Sequence, residues 1–293
     1  MAKHESASII MAVYNGAPTV ERAIKAMLKQ DYKGDYEIIV VDDGSTDGSR
    51  EIIEKLEKPG KVKMRFLNHS GVCRARNSAI KLAKNNIIIN MDQDCIPDKK
   101  WLTKMVSGFD SEKVGVVSAY GYYGGTSTGF RKELLDKVGG YDEDYGYYRE
   151  DTDLSFKIMD RGYEFRLIKA DYLHDRKETK PKGIIGIIRY GLKRLNYHQN
   201  DVLLYKKHPT KTCKEFLHIK HGFLIDPKWD FMTATGTWEK GKKMKLSSPR
   251  GIVFMENKSP LHSLLIIAIG ITYVLAVKAS RFIGSVRFRK LLI

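Results

Sequence analysis

Apolar and polar positions over residues 8–118 switch repeatedly between two periods. Ser8–Val13 is a short, β-capable apolar run, after which Val20, Ile24, Met27 and Leu28 recur at helical spacing. Glu37–Val41 is a second apolar run, closed by Asp42-Asp43-Gly44, and Ile52, Ile53 and Leu56 mark a second helix. Val62–Leu67 predicts a third strand, Ala75–Lys84 a third helix and Ile87–Met91 a fourth strand. A helix over Asp98–Phe109, with Pro97 near its start, and a fifth strand over Val114–Ala119 complete the series. Strand–helix–strand in this rhythm predicts parallel pairing through right-handed crossovers. In such sheets ligands bind beyond the carboxyl ends of the strands, which is where the acidic clusters of this chain fall.

Residues 131–168 predict a helix over Lys132–Val138 ended by Gly139, a loop, a helix over Asp151–Asp160 ended by Gly162, and a strand over Tyr163–Ile168. The pattern changes at Pro181. Ile184, Ile188, Leu192 and Leu195 form an apolar stripe with Arg189, Lys193 and Arg194 beside it, which suits either a membrane surface or packing on the sheet domain. Residues 261–277 are the most apolar stretch. Seventeen residues at about 1.5 Å each reach roughly 25 Å, slightly short of a ~30 Å hydrocarbon core. Lys278 and Arg281 are able to snorkel and lengthen the span. Such a segment spans a membrane, lies in its interface or is buried in protein. Lys240, Lys242, Lys243 and Lys245 before it and Arg287, Arg289 and Lys290 after it leave its orientation open. The expected organisation is a sheet domain over 1–180, a basic amphipathic helical extension over 181–258 and an apolar C-terminal segment, a membrane anchor, over 259–293.

Composition adds three constraints. A chain of 293 residues, 42% hydrophobic and 29% charged, is long enough to bury one sizeable core and is neither disordered nor a disulfide mini-protein. Cys73, Cys95 and Cys213 are far apart and match no zinc spacing, so they are read as thiols in a reducing compartment, and no leader peptide is expected. The net charge of +16 is unevenly divided: residues 1–180 hold 30 Lys and Arg against 29 Asp and Glu, and residues 181–293 hold 21 against 6. The second part is therefore the one drawn to a polyanionic partner or anionic membrane.

Three Asp-x-Asp triplets occur: Asp92-Gln93-Asp94, Asp142-Glu143-Asp144 and Asp151-Thr152-Asp153. Asp92 and Asp94 follow the apolar strand IIINM directly, so they stand at its carboxyl end. Two carboxylates there repel each other unless a cation lies beside them, and hard oxygen donors suit Mg²⁺ or Mn²⁺ bridging a diphosphate. Asp42-Asp43-Gly44-Ser45 ends a buried strand in the same way, although such a sequence also makes a plain turn and helix cap. Glu150-Asp151 opens a helix, where the macrodipole favours a carboxylate. His174 follows the strand YEFRLI and gains meaning only if it meets the carboxylates in space.

Four blocks in this order, SIIMAVYNGAPTVERAI, EIIVVDDGSTDGSREII, GVCRARNSAIKLAKNNIIINMDQDCIPDKKWL and TGFRKELLDKVGGYDEDYGYYREDTDLSFKIMDRG, resemble the family 2 glycosyltransferases over roughly residues 7–180. The resemblance implies the α/β GT-A fold, a Rossmann-like, mostly parallel sheet flanked by helices, here with a basic C-terminal helical, membrane-associated extension. It implies that Ala12, Tyr14 and Asn15 form the first nucleotide-contacting turn and that Asp43, with Asp42, contacts the base. It places Arg76 and Asn77 beside the nucleotide, Asp92 on the ribose or sugar, and Asp94 and His174 on a Mn²⁺ or Mg²⁺ ion. Asp151 matches the catalytic base, with Glu150 and Thr126 on the acceptor side. Only 31 residues separate Asp94 from Thr126, where many relatives carry a longer insertion that helps form the acceptor pocket.

The implied reaction is an inverting displacement on a nucleotide-diphospho-sugar. Metal and basic groups stabilise the leaving diphosphate, and Asp151 accepts the proton of an acceptor hydroxyl. The expected acceptor is a glycan or lipid-linked glycan at the cytoplasmic face of a membrane, held by a single C-terminal anchor or interfacial helix. Direct transfer to a polyprenyl phosphate stays open. So does a non-catalytic basic membrane-binding module, although every acidic position of the pattern is present. A nucleotidyltransferase lacks support for want of a glycine-rich phosphate loop, and no nucleic-acid partner is expected because no recognised binding motif accompanies the charge.

Overall fold

A computed structural model describes residues 5–175, 183–235, 243–248, 251–256 and 260–293. Pro181, Lys240 and Lys242, weighed above, lie outside the described residues. The chain divides into two compact units, Met1–Lys177 and Glu178–Ile293.

In the first unit, β1 (Ala7–Val13), α1 (Val20–Leu28), β2 (Tyr36–Asp42), α2 (Ser49–Glu54), β3 (Val62–Phe66), α3 (Val72–Leu82) and β4 (Ile87–Asn90) follow one another as the periodicity predicts. Then come β5 (Cys95–Pro97), α4 (Trp101–Ser107), β6 (Val114–Ser118), β7 (Thr128–Arg131), α5 (Lys132–Val138), α6 (Glu150–Met159), β8 (Glu164–Leu167) and β9 (Tyr172–His174). Seven strands form one sheet in the order β3-β2-β1-β4-β7-β6-β8. Strands β1 to β4 pair in parallel, and their apolar runs are buried because helices cover both faces. Helix α1 shows the matching stripe, burying Val20, Ala23, Ile24 and Met27 against the sheet.

The sheet departs from the predicted rhythm at β7. This strand runs antiparallel between β4 and β6, so the fifth predicted strand does not continue the parallel series directly. Its sequence, Thr-Gly-Phe-Arg, is too short and too mixed to carry a period, and only its neighbours make it a strand. Pro97 likewise lies in β5, paired with β9, and not at a helix start; α4 begins at Trp101. Gly139 takes φ +80° at the end of α5, the left-handed helix stop that its position predicts.

The second unit holds α7 (Gly183–Asn196), α8 (Gln199–Lys207), α9 (Lys211–Phe216), the short pair β10 (Ile219–Lys220) and β11 (Leu224–Ile225), and α10 (Pro227–Thr235). A hairpin of β12 (Lys243–Ser248) and β13 (Gly251–Glu256) precedes α11 (Pro260–Phe288). Helix α11 has 29 residues and so extends well beyond the 17-residue apolar run. Beyond the apolar run, Lys278 and Arg281 are satisfied within the unit, Lys278 donating to the Ile225 carbonyl at 2.9 Å. Arg281 lies 3.1 Å from Asp201 of α8 and 2.7 Å from Asp230 of α10, with all three carboxylate and guanidinium groups buried. Ile266, Val274, Val277 and Arg281 line its packed side, whereas Leu264, Leu265, Ile271, Leu275 and Phe282 stay exposed. Among the described residues, Leu264–Phe288 is the one helix long and apolar enough to cross a membrane. No residue of α7 is buried, and its Ile184, Ile188 and Leu192 stand in the open.

Candidate active site

The carboxyl ends of β1 and β2 build one rim of the site. Asn15, at φ +51°, donates its N–H to Ser45 Oγ at 2.9 Å and accepts the Thr46 N–H on its Oδ1 at 2.9 Å. Gly16 N–H donates to Ser49 Oγ at 2.8 Å and Ala17 N–H to Asp47 at 3.0 Å. The turn after Ala12 is thereby stapled to the Asp-Asp-Gly-Ser turn, and Asn15 is one of the staples. Gln93 reaches the same turn, accepting the Tyr14 N–H at 2.8 Å and donating to the Tyr14 carbonyl at 3.2 Å. The half-exposed Tyr14 ring stacks on His69, with centroids 4.1 Å apart and planes 26° from parallel.

Both Asp42 and Asp43 are buried. Asp42 accepts the Ser45 N–H at 3.1 Å on one oxygen, and its other oxygen has no partner among the described residues. Asp43 accepts the Ser70 N–H at 2.8 Å and hydroxyl at 2.9 Å on Oδ1, and the Gly71 N–H at 2.8 Å on Oδ2, with His69 Nδ1 3.0 Å away. Three of these are hydrogen bonds to the carboxylate, and His69 Nδ1 also lies 3.1 Å from the Asp43 main-chain oxygen. Asp43 thereby shapes the β3–α3 turn that carries His69.

Arg76, on α3 and almost wholly buried, is the hub of the acidic groups. Its Nη2 lies 3.0 Å from Asp92 at the end of β4, and its Nη1 lies 3.1 Å from Asp151 and 3.3 Å from Glu150 at the start of α6. One guanidinium cannot neutralise three carboxylates. Asp151 accordingly stands at about 7: burial raises it most, Arg76 pulls it down, and the charges of Glu150 and Asp92 push it up again. Tyr141, also buried, lies beside Arg76, whose guanidinium is 5.2 Å from the ring centroid. Burial and the Asp151 charge hold its phenol well above the ordinary range. Asn77 donates to the Tyr141 carbonyl and accepts the Tyr141 N–H, both at 2.8 Å. It thus clamps the loop that carries Tyr141, and its carboxamide is turned to that loop and not to the crevice.

Asp94 and His174 do meet. Strand β5 pairs antiparallel with β9, which sets Cys95 opposite His174 and brings Asp94 Oδ2 to 3.1 Å from His174 Nε2. Cys95 Sγ belongs to the same cluster, with donor atoms all within 4.8 Å of one another. Burial pushes its thiol up to about 12, so it is neutral at ordinary pH and a poor ligand for a hard ion. The remaining carboxylate oxygen and imidazole nitrogen fit a Mn²⁺ or Mg²⁺ ion that takes its other ligands from phosphate and water. Thr126 lies against the same cluster. It is 3% exposed, and its hydroxyl accepts the Asp92 N–H at 3.0 Å and lies 3.5 Å from Cys95 Sγ. It thereby supports the Asp92–Asp94 turn; Glu150, 4% exposed, lies 3.3 Å from Arg76 Nη1. His69, Gln93 and Tyr141 are site residues that sequence reasoning missed. The ring of Tyr14 was the one signal that an aromatic partner was to be sought.

The sequence pattern described as Glycosyl transferase family 2 matches residues 8–176. Glycosyltransferase AglE of Haloferax volcanii is 33% identical over 114 residues, 38% of this chain and 37% of its own length. A poly(ribitol-phosphate) β-glucosyltransferase of Bacillus spizizenii is 38% identical over 182 residues, 60% of this chain and 27% of its own. The matched part thus spans well under half of these relatives. Among solved structures, the mannosyltransferase PcManGT from Pyrobaculum calidifontis, in complex with GDP-Man and Mn²⁺, superposes with a TM-score of 0.63 at 19% identity, covering 96% of this chain and 88% of that one. S. aureus TarS 1-349 in complex with UDP gives 0.51 at 17% identity over 97% and 92% of the two chains. These two likenesses concern the GT-A fold. Since the family pattern runs through both acidic strand ends and the Asp151 helix, over more than half of its length, the chain belongs to glycosyl transferase family 2.

Proposed function

We propose that the chain moves a sugar from a nucleotide-diphospho-sugar to a hydroxyl of a glycan or lipid-linked glycan, in one inverting displacement. The observation that carries this reading is the Asp151 carboxyl, held at the Arg76 hub and raised to about 7. A base at that value is about half ionised near neutral pH, so a substantial fraction accepts a proton, and it binds that proton well enough to help the hydroxyl attack. As the hydroxyl oxygen bonds to the anomeric carbon, its proton passes to Asp151. The bond from that carbon to the diphosphate oxygen breaks, and the nucleoside diphosphate leaves. Tyr14 and His69, which stack on each other, would offer a surface for the base, and Asp92 would contact the ribose or sugar. Asp94 and His174 would hold the divalent ion, which when bound supplies charge neutralisation for the diphosphate.

Transfer should rise with pH through about 7, because the base must be ionised to act and its ionisation is delayed by burial. Initial rates from pH 5.5 to 8.5 at saturating donor check this; a profile flat across that range removes Asp151 as the titrating base.

The open isoleucines of α7, its basic neighbours Arg189, Lys193 and Arg194, and the uncovered apolar side of α11 support attachment to the cytoplasmic face of a membrane that presents a lipid-linked acceptor. Nucleotide binding tests the reading as a whole. A thermal-shift series with UDP, GDP and dTDP, each with and without Mn²⁺, should show one nucleotide stabilising the protein only with the metal. At a hundred times its Kd such a ligand contributes about 2.7 kcal/mol. Asp94→Ala should abolish the metal-dependent part; equal shifts in that variant would remove the metal role, and no shift with any nucleotide would turn the reading to a non-catalytic membrane module.

A further inference from the structure

Resting on that reading, we infer that the tyrosine-rich loop over residues 119–125 is the acceptor platform, and that Tyr122, with Tyr120, stacks on the face of a neutral sugar ring whose hydroxyl is directed at Asp151. Three features of the loop carry this.

The loop lies directly on the base. A Cβ built on Gly124 would stand 2.7 Å from Asp151 Cβ and 2.8 Å from its carbonyl carbon, so only glycine permits this approach. Tyr123, Gly124, Gly125 and Ser127 have φ of +66°, +125°, +119° and +56°. So many left-handed residues in one short loop cost conformational energy, and such strain gathers where function demands a particular geometry.

Its outer rings are exposed yet braced. Tyr122 is 69% and Tyr120 52% exposed, proportions that waste apolar area unless something covers it. Tyr123 meets Phe156 of α6 edge-on at 5.0 Å and Phe165 of β8 at 5.1 Å, and Tyr122 continues the series at 6.0 Å from Tyr123 and 6.4 Å from Phe165. The Tyr120 ring lies over Gly125, where a Cβ would collide with it. Tyr120 and Gly121 also line a cavity of about 360 Å³ together with Leu167 and Tyr172 and the charged Lys169 and Asp171. That volume falls in the range of small-molecule sites. Fixed aromatic faces beside a hydroxyl-activating carboxylate suit a pyranose, whose C–H face is apolar and whose edge is polar.

Charge disfavours the competing acceptor. Residues 119–125 contain no charged side chain. Of the cations around Asp151, Arg74 is held by Glu143, Arg76 by Asp92, Glu150 and Asp151, and Lys157 by Asp142 and Asp153, while Arg149 lies over the Tyr148 ring. A polyprenyl phosphate would bring its anion to a cluster with excess negative charge, whereas a neutral sugar meets no such repulsion.

The test compares octyl β-glucoside, octyl N-acetyl-β-glucosaminide and octyl α-mannoside with undecaprenyl phosphate as acceptors of the full chain, using the donor whose nucleotide binds. At least one glycoside should be glycosylated in preference to the lipid phosphate. Tyr122→Ala should raise its KM at least tenfold with kcat changed less than threefold and nucleotide affinity retained, and Tyr122→Phe should restore the wild-type KM, because the ring face and not the hydroxyl makes the contact. Tyr120→Ala should raise the KM in the same direction. An unchanged KM in both alanine variants, a phenylalanine variant as poor as the alanine one, preference for undecaprenyl phosphate, or transfer to neither class by protein that binds nucleotide would each overturn the platform. Failure to bind any nucleotide would overturn the underlying function instead, and the platform with it.

Discussion

Asp151→Asn is expected to lower the rate of sugar transfer by about 10³-fold while leaving nucleotide affinity unchanged, within the range general-base catalysis supplies. The carboxamide keeps the shape of the side chain, and its oxygen still accepts from Arg76 Nη1, now 3.1 Å from Asp151. What it loses is the ability to take a proton. The same change should not cost stability near neutral pH. The Asp151 carboxyl is raised from 3.8 to about 7 in the folded protein, so the fold favours its protonated form. That contribution is fully present below about 3.8 and is lost as pH rises through about 7, because above that value the folded state holds a buried charge beside Glu150 and Asp92. The asparagine variant carries no such charge, so its melting temperature should equal or exceed that of the wild type at pH 8 and converge with it towards pH 4. Transfer within tenfold of wild type, measured as nucleoside diphosphate release dependent on acceptor, would exclude Asp151 as the base.

Arg76→Ala should have the largest effect on stability, about 3–5 kcal/mol, because removing one partner of a buried ion cluster strands the others without compensation. Here three carboxylates lose their shared cation, and Glu150, 4% exposed, has little water to replace it. Arg76→Lys should recover only part of the loss, since a single ammonium cannot reach Asp92, Glu150 and Asp151 with the divergent fork of a guanidinium. Urea midpoints for the three proteins decide the matter; a loss below about 1 kcal/mol for the alanine variant would show that the cluster is open to water and that Asp151 is not tuned by it.

Much of the site was legible because its residues follow from local rules. Asp92 and Asp94 follow a fully buried strand that runs parallel to β1, and the carboxyl end of such a strand faces the crevice. Asp151 opens a helix with an apolar inward face. Arg76 and Asn77 are neighbours on α3, and nothing in their spacing reveals that one gathers three carboxylates while the other clamps a backbone loop 64 residues away. The burial and partners of Asp43 and Thr126 were not legible for one reason: they come from segments distant in sequence, the β3–α3 turn and the Asp92–Asp94 turn.

What the sequence by itself determined about this protein was the set of parallel strands, the helices between them, the acidic character of the strand ends and the basic, apolar character of the second unit, all properties that periodicity and charge express within ten or so residues. Only the tertiary structure decided where β7 enters the sheet, that β5 pairs with β9 and so brings Asp94 to His174, and that Asp151 shares Arg76 with two other acids. Those outcomes depend on which surfaces pack together, and a carboxylate's proton affinity depends on the water and charges that packing leaves around it.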